Sequence, residues 1–460
     1  MRFRNHLLSI ACMAMLGAQA RAQSNGFKFT FGAAQAGFTQ VAADAVYSPE
    51  IGYGFEADAN LPAPGVAVMP ATRPTIVSTE RGVASDKMFI FSAKVPEGNW
   101  RVTVTLGDPK VEAITTVKAE ARRLMLERVH TDAGQFVTRS FVVNVRGPKI
   151  SSGGEVKMDK REPGSFTWDD KLSLQFCDTH PAVDSIEITR ADDAVTVFLC
   201  GDSTVTDQPR EPYGTWGQML PRWFDDHVAV ANNAESGETV KAFRFEHRWD
   251  KVMSQARAGD YVFMQFGHND LNKTGHNAMW PATDKEEDWT NTYSQADTDY
   301  KKLLEDYANE VKAKGAIPVI VSPMTKINIR TGELNVAGLG DYPEAATEAA
   351  MEDGVACIDL NARSVELVKA LGADGAKRAY VEGLHSTSYG GYLFARSIVE
   401  GIRQNRLALA KYIVDDAGIF DPTHPEPVFE AFKLPLEPVV RLTGGRRGRG
   451  TTRAANAPAR

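Results

Sequence analysis

From residue 194 to about residue 411 the chain alternates short apolar runs with helical stretches, and few folds accept that pattern. The runs are Val195-Thr196-Val197-Phe198-Leu199-Cys200 and residues 228–232, 261–266, 317–321 and 355–360. Each has the length and β-branched character of a buried strand. Between them, residues 299–314 place Leu303, Leu304, Tyr307 and Val311 on one helical face and stop at Gly315; residues 391–403 read as a closing helix. Repeated strand–helix units predict a parallel sheet covered by helices on both faces.

The first run breaks at Gly201-Asp202-Ser203, which delivers a serine to the C-terminal end of its strand, where open α/β sheets keep their ligands. By itself this tripeptide is also an ordinary turn and helix cap. Three later segments add the other groups that acyl transfer needs: Asn233-Ala234-Glu235-Ser236-Gly237, Gly267-His268-Asn269-Asp270 and Glu382-Gly383-Leu384-His385. A serine hydroxyl needs a base, and His385 is the candidate. A tetrahedral intermediate needs donors, which the Asn269 amide and backbone N–H groups supply; Gly237 lets a carbonyl oxygen approach the main chain. All four positions fall just beyond a strand end or before a helix, so adjacent loops can bring them together over one edge of the sheet.

On these four blocks the chain resembles the GDSL or SGNH hydrolase superfamily, whose flavodoxin-like domain has three layers. Gly201-Asp202-Ser203-Thr204-Val205-Thr206, Gly214-Thr215-Trp216-Gly217, Gln265-Phe266-Gly267-His268-Asn269-Asp270 and the run 316–323 resemble rhamnogalacturonan acetylesterases, carbohydrate esterase family 12. The resemblance implies a serine esterase that removes O-acetyl groups from a pectic polysaccharide, with Ser203 as nucleophile and His385 as base. It also implies an oxyanion hole from Asn269 and the N–H groups of Ser203 and Gly237, and a mechanism that needs no metal or other cofactor. Asp202 is expected to brace the serine turn, and Asp270 to orient Asn269 or cap a helix.

One residue departs from the family pattern: the usual aspartate three residues before the histidine is Glu382. Glutamate has the same charge and one more methylene, so it can hold the imidazole tautomer if the loop relaxes. Alternatively Glu382 faces solvent and His385 works with a backbone carbonyl. Candidate substrate contacts are Trp216, His268, Trp280 and Trp289, the last two in a long connection over residues 271–298; alternatively His268 packs or hydrogen-bonds beside the cleft and the two loop tryptophans pack on the protein. Residues 327–343 form a second candidate wall, where Lys326 or Arg330 would attract acidic sugars. His268, Asp270 and His276 lack the spacing of a metal site.

Residues 1–22 read as a secretory signal peptide: Arg2 and Arg4, an apolar core too short to span a bilayer, then Ala20-Arg21-Ala22. A secreted or periplasmic protein without a membrane anchor is expected. The net charge of −7 becomes three units more negative once Arg2, Arg4 and Arg21 leave, which argues against nucleic acid as a partner. Cys177, Cys200 and Cys357 remain in the mature chain, an odd count; Cys200 and Cys357 sit in buried-looking strands, and no disulfide is expected.

Residues 24–193 are strand-like, with alternating runs such as Trp100-Arg101-Val102-Thr103-Val104-Thr105-Leu106, and predict an all-β jelly-roll or sandwich domain. Gly52-Tyr53-Gly54-Phe55-Glu56 and the run 95–100 resemble galactose-binding-like domains. Trp100 and Tyr53 either contact sugar or pack in the core. The hydrolase domain is expected over 194–415, a proline-rich extension over 416–441 and a disordered basic tail over 442–460.

The leading expectation is therefore an exported esterase acting on an acetylated polysaccharide, most readily rhamnogalacturonan. An esterase for acetylated xylan, or a carbohydrate-binding protein impaired by Glu382, are the rivals. The sequence leaves the oligomeric state open.

Overall fold

The computed structural model describes residues 26–57, 75–159, 162–271, 293–330 and 332–435. The expected signal peptide over residues 1–22, the expected basic tail over 442–460, His276, Trp280 and Trp289 lie outside the described residues.

The first part is all β. Its strands are β1 (Gly26–Thr30), β2 (Thr39–Gln40), β3 (Tyr53–Phe55), β4 (Ile76–Ser78), β5 (Val83–Ser85) and β6 (Phe89–Lys94). They continue as β7 (Gly98–Leu106), β8 (Ala113–Ala119), β9 (Arg123–Thr131), β10 (Val137–Val145), β11 (Lys171–Cys177) and β12 (Ala182–Arg190). In β7 the alternation works as written: Trp100, Val102, Val104 and Leu106 are buried, while Arg101, Thr103 and Thr105 are half-exposed. The sheet β3-β6-β11-β8-β9 packs on the run β10-β7-β12-β1-β2, antiparallel except for its parallel β1–β2 pair, and Phe29, Phe55, Phe91, Trp100 and Phe176 fill the space between. Trp100 is buried with its Nε1 donating to Pro96 O (2.9 Å), and the Tyr53 ring lies 5.1 Å from Phe29. Both aromatics pack in the domain.

The second part holds the parallel strands β13 (Val195–Gly201), β14 (Val228–Asn232), β15 (Tyr261–Gln265), β16 (Ile317–Val321) and, after a hairpin of β17 (Lys326–Arg330) and β18 (Glu333–Ala337), β19 (Ala356–Ile358). Their order across the sheet is β14-β13-β15-β16-β19, the flavodoxin-like arrangement. Its helices are α1 (Trp216–Met219), α2 (Val240–Phe245), α3 (Arg248–Gln255), α4 (Lys301–Ala313), α5 (Tyr342–Glu352), α6 (Leu360–Ala379) and α7 (Ser388–Gln404). Strand β13 is buried on both faces. Val197 and Leu199 point into the cluster with Trp216, Leu393 and Ile398 of α1 and α7, while Phe198 and Cys200 face Trp249, Leu304 and Tyr307 of α3 and α4.

The two parts share one sheet. Strand β10 of the sandwich pairs in parallel with β14 (Val142 opposite Ala229, Val143 opposite Val230), so the parallel and antiparallel strands run on without a break. Buried Arg123 clamps this seam: its guanidinium donates to Val230 O (2.9 Å) and Asn144 O (3.0 Å) and lies 3.3 Å from Asp207.

Residues 327–343 are not a plain loop: their first part is the β17–β18 hairpin, closed at Gly332 with φ +84°. The extension from residue 416 follows the surface, with buried Phe420 and Leu434 packed on the α7 side of the core. No described helix is long and apolar enough to cross a membrane.

Candidate active site

The sheet order reverses between β13 and β15, which opens a crevice beyond their C-terminal ends. Ser203 follows β13 there. Its turn is tight because Gly201 leaves room for Gln265 O: a Cβ would sit 2.6 Å from it. Asp202 braces the turn, its Oδ1 accepting from Thr204 N (2.9 Å) and Thr204 Oγ1 (2.7 Å). Below lies a buried polar chain, in which Gln265 donates to Thr204 Oγ1 (2.5 Å) and Trp216 Nε1 donates to Gln265 Oε1 (2.9 Å).

Trp216 is thus 0% exposed and faces the core rather than a sugar, which corrects its assignment as a substrate contact. The Gly214-Thr215-Trp216-Gly217 block serves packing. Thr215 caps α1 and ties the chain after Ser203, donating to Thr206 O (2.9 Å), and a Cβ at Gly217 would collide with Val205 O.

Of the two readings of His268, the structure has the hydrogen-bonded one, and the substrate contact is corrected. The buried ring is held between Asp202 Oδ2 (3.0 Å from Nδ1) and Met324 O (2.8 Å from Nε2), away from any substrate. Met324 O can only accept, so Nε2–H is its donor, and Nδ1 faces the Asp202 carboxyl. Burial alone raises the Asp202 pKa, but the His268 ring and the Thr204 donors outweigh it and hold the carboxyl below its ordinary value.

Asp270 works in the opposite sense. It is fully buried, its Oδ1 accepts from Val240 N and its Oδ2 from Gly267 N (both 2.9 Å), and it thereby joins the start of α2 to the turn after β15. Burial, reinforced by Asp202, pushes its pKa up to about 7 despite those donors. Asn269 beside it is half-buried and donates one amide hydrogen to Glu238 O (3.0 Å), which fixes the amide against the Gly237 loop. Gly237 adopts φ +92°, a conformation glycine takes at no steric cost. Gln208 Nε2 closes the circle, donating to Ser203 O (3.0 Å) and reaching Ser236 Oγ (3.4 Å).

The base arrives from the other side. The turn 381–385 is closed by Val381 N donating to His385 O (2.8 Å), and it rests on β17 through Ile327 N donating to Gly383 O (2.8 Å). Thr387 caps α7 directly after it. His385 Nε2 lies 2.8 Å from Ser203 Oγ, and its Nδ1 meets Glu382 Oε1, which also accepts from His385 N (3.2 Å). With Nδ1–H donated to Glu382, the Nε2 lone pair faces the serine hydroxyl. Of the two readings of Glu382, the structure has the one in which it contacts the ring.

Sequence reasoning missed three contributors. The Tyr213 ring stands edge-on to His385, centroids 5.7 Å apart. Gln208 supports Ser203. Arg122, from the turn before β9, carries both: it donates to Gln208 O (3.1 Å) and Tyr213 O (3.0 Å) and pairs with buried Glu211. Gln208 and Tyr213 follow the GDS block closely, a usable signal; Arg122 gave none.

Among the described residues the one group of three or more potential metal ligands is Asp225, Asp226 and His227, ahead of β14 and at the opposite end of the strands from Ser203.

Comparison with known proteins fits this geometry. Residues 199–390 match the GDSL-like Lipase/Acylhydrolase family, and residues 27–143 match a Beta-agarase/YXIM esterase-like, galactose-binding domain-like family. Over 241 residues the chain is 30% identical to rhamnogalacturonan acetylesterase RhgT of Bacillus subtilis strain 168, covering 49% of this chain and 96% of that one. It belongs to the GDSL-like lipase/acylhydrolase family. The family match runs from β13 into α7 and so includes Ser203, Gly237, Asn269, Glu382 and His385. The uncharacterized esterase YxiM of the same organism is 24% identical over 393 residues, 83% of this chain and 91% of its own. The crystal structure of YxiM aligns over 83% of this chain and 99% of its own at 22% identity and a TM-score of 0.42.

Proposed function

We propose that this chain is an exported serine esterase that removes O-acetyl groups from a pectic polysaccharide, rhamnogalacturonan foremost. The observation that carries the reading is Ser203 Oγ at 2.8 Å from His385 Nε2 with Glu382 on the far nitrogen. Ser203 attacks the acetyl carbonyl while His385 takes its proton. The oxyanion forms among the N–H groups of Ser203 and Gly237 and the Asn269 amide. The sugar hydroxyl leaves with the proton from His385, and water, activated by the same ring, releases acetate.

A polymeric, acidic substrate is supported by an open cavity of about 710 Å³ beside Glu382, lined by Lys326, Asn328, Lys377 and Tyr380 among others. Lys326 has no ion-pair partner among the described residues, and burial lowers its pKa, so a carboxylate there would relieve a partly desolvated charge. The name of the relative RhgT supports the pectic choice. Export rests on the charged start and apolar core of residues 1–22.

The test is acetate release from acetylated rhamnogalacturonan and acetylated xylan by the mature protein and its Ser203→Ala variant. Release from the pectic polymer that vanishes in the variant supports the reading. Release from xylan alone moves the substrate, and release from neither overturns the esterase.

A further inference from the structure

A second cavity, of about 190 Å³, lies on the other side of the triad, where the sandwich meets the hydrolase loops. The sandwich side contributes Arg146 and Trp168; the hydrolase side contributes Gln208, Arg210, Tyr213 and Ser236. Gln208 holds Ser203 and Tyr213 touches His385, so this cavity shares its wall with the catalytic groups.

Its chemistry is unusual for a packing defect. Arg146 is 2% exposed, yet its Nε and Nη1 have no hydrogen-bond partner, and its nearest carboxylate, Asp207, lies at 3.8 Å, beyond hydrogen-bond reach. The guanidinium lies over the Trp168 ring, 4.6 Å from the centroid. Burial, with Arg123 close by, pulls the Arg146 pKa down to about 10 against the attraction of Asp207, Glu120 and Glu162. A buried donor left unmade costs free energy, and such groups are kept where something else supplies the acceptor.

Two of the acids in the wall are engaged elsewhere, and the third is shared. Glu162 accepts from both Nη atoms of Arg248 (2.9 and 2.7 Å) and Glu235 is partnered as well, while Asp207 accepts from Asn232 Nδ2 (2.8 Å) through Oδ1 and sets its Oδ2, without a hydrogen bond, between Arg123 (3.3 Å) and Arg146 (3.8 Å). Half-buried Arg210, by contrast, has no ion-pair partner among the described residues.

We propose that this cavity is a sugar subsite for a uronate residue neighbouring the acetylated sugar, its carboxylate received by Arg146 and Arg210 beside Trp168. The inference rests on the esterase reading and gives the sandwich a part in substrate binding: the polymer crosses Ser203 with one side in the Lys326 cavity and the other against the sandwich.

The experiment uses the whole mature chain and two substrates, acetylated pectic polymer and para-nitrophenyl acetate, the latter too small to fill the cavity. Arg146→Lys keeps a charge near Asp207 but removes the planar fork; Arg210→Ala trims the rim with little risk to folding. The ratio of kcat/KM on polymer to that on the small ester is expected to fall about tenfold for Arg146→Lys and about threefold for Arg210→Ala, mainly through KM. Free galacturonate should inhibit hydrolysis of the small ester by the unaltered protein and do so less in both variants, whereas galactose should not inhibit. Small-ester activity with an unchanged ratio in both variants overturns the subsite alone. An unaltered protein inert on both substrates overturns the esterase reading beneath it.

Discussion

The two sides of the catalytic crevice are built differently. Ser203 is 6% exposed and stands on Asp202, His268, Thr204 and Gln265, all buried and mutually bonded. The side chains of His385 and Glu382 are 30% and 49% exposed, on a turn that rests on the β17–β18 hairpin. Fixed dipoles excluded from water act strongly on a developing charge, whereas an exposed carboxylate is screened. Rate enhancement should therefore depend more on the serine and oxyanion side than on the acid.

The largest expected effect tests the buried side directly. Ser203→Ala should lower acetate release by about 10⁶-fold with an unchanged melting temperature. Asn269→Ala should cost roughly a hundredfold to a thousandfold in kcat, because one oxyanion donor is lost from a shielded site. A loss below about tenfold would mean that Asn269 does not face the oxyanion, and the contrast between the two sides would weaken.

The same contrast appears in stability. Asp202→Asn takes from buried His268 and the Thr204 turn the charged acceptor they share, and loss of a hydrogen bond to a charged group typically costs about 1.5–3 kcal/mol, readable by urea unfolding. The pH dependence separates the two buried aspartates. The Asp202 pKa is lowered, so its contribution is present above the ordinary aspartate value and is lost as pH falls through the native-state pKa. The Asp270 pKa is raised to about 7, so its contribution is present in acid and is lost as pH rises from the ordinary value towards 7. Over that window Asp270→Asn should flatten the slope of unfolding free energy by up to about 1.4 kcal/mol per pH unit, although it also loses one of two backbone acceptors. A slope that survives the substitution would belong to the other carboxyls that burial raises, among them Glu120, pushed up to about 8, Glu238 and Glu246.

Legibility followed the same physics. Strands β14 and β16 were readable to the residue because a strand buried on both faces is a continuous apolar run, and Ser203 and His385 stood at breaks in such runs. The hairpin was missed although Lys326-Ile327-Asn328-Ile329-Arg330 alternates strictly and Gly332 supplies the turn; its polar residues made it look like a loop. The shared sheet had no local signature, since the β10–β14 pairing joins residues far apart in sequence. Trp216 and His268 were misplaced for one reason. A residue type suited to binding sugar is equally suited to a buried hydrogen bond, and only the packing of Gly217 on Val205 or of Asp202 under His268 decides between them.

The smallest expected effect sharpens the comparison most. Glu382→Gln keeps a group that can accept from His385 Nδ1 and removes only the charge. Where the acid of a triad is buried, loss of its charge costs about 10⁴-fold. Half-exposed Glu382 shares its ring with water, so a loss of about tenfold to a hundredfold in kcat is expected, and raising ionic strength should narrow the gap between the variant and the unaltered protein. Glu382→Asp should fall between the two, since the charge stays and the reach shortens by one methylene. A loss near 10⁴ for Glu382→Gln, insensitive to salt, would mean that the bound polymer covers Glu382 and dries it, and the two sides of the crevice would then differ only while it is empty.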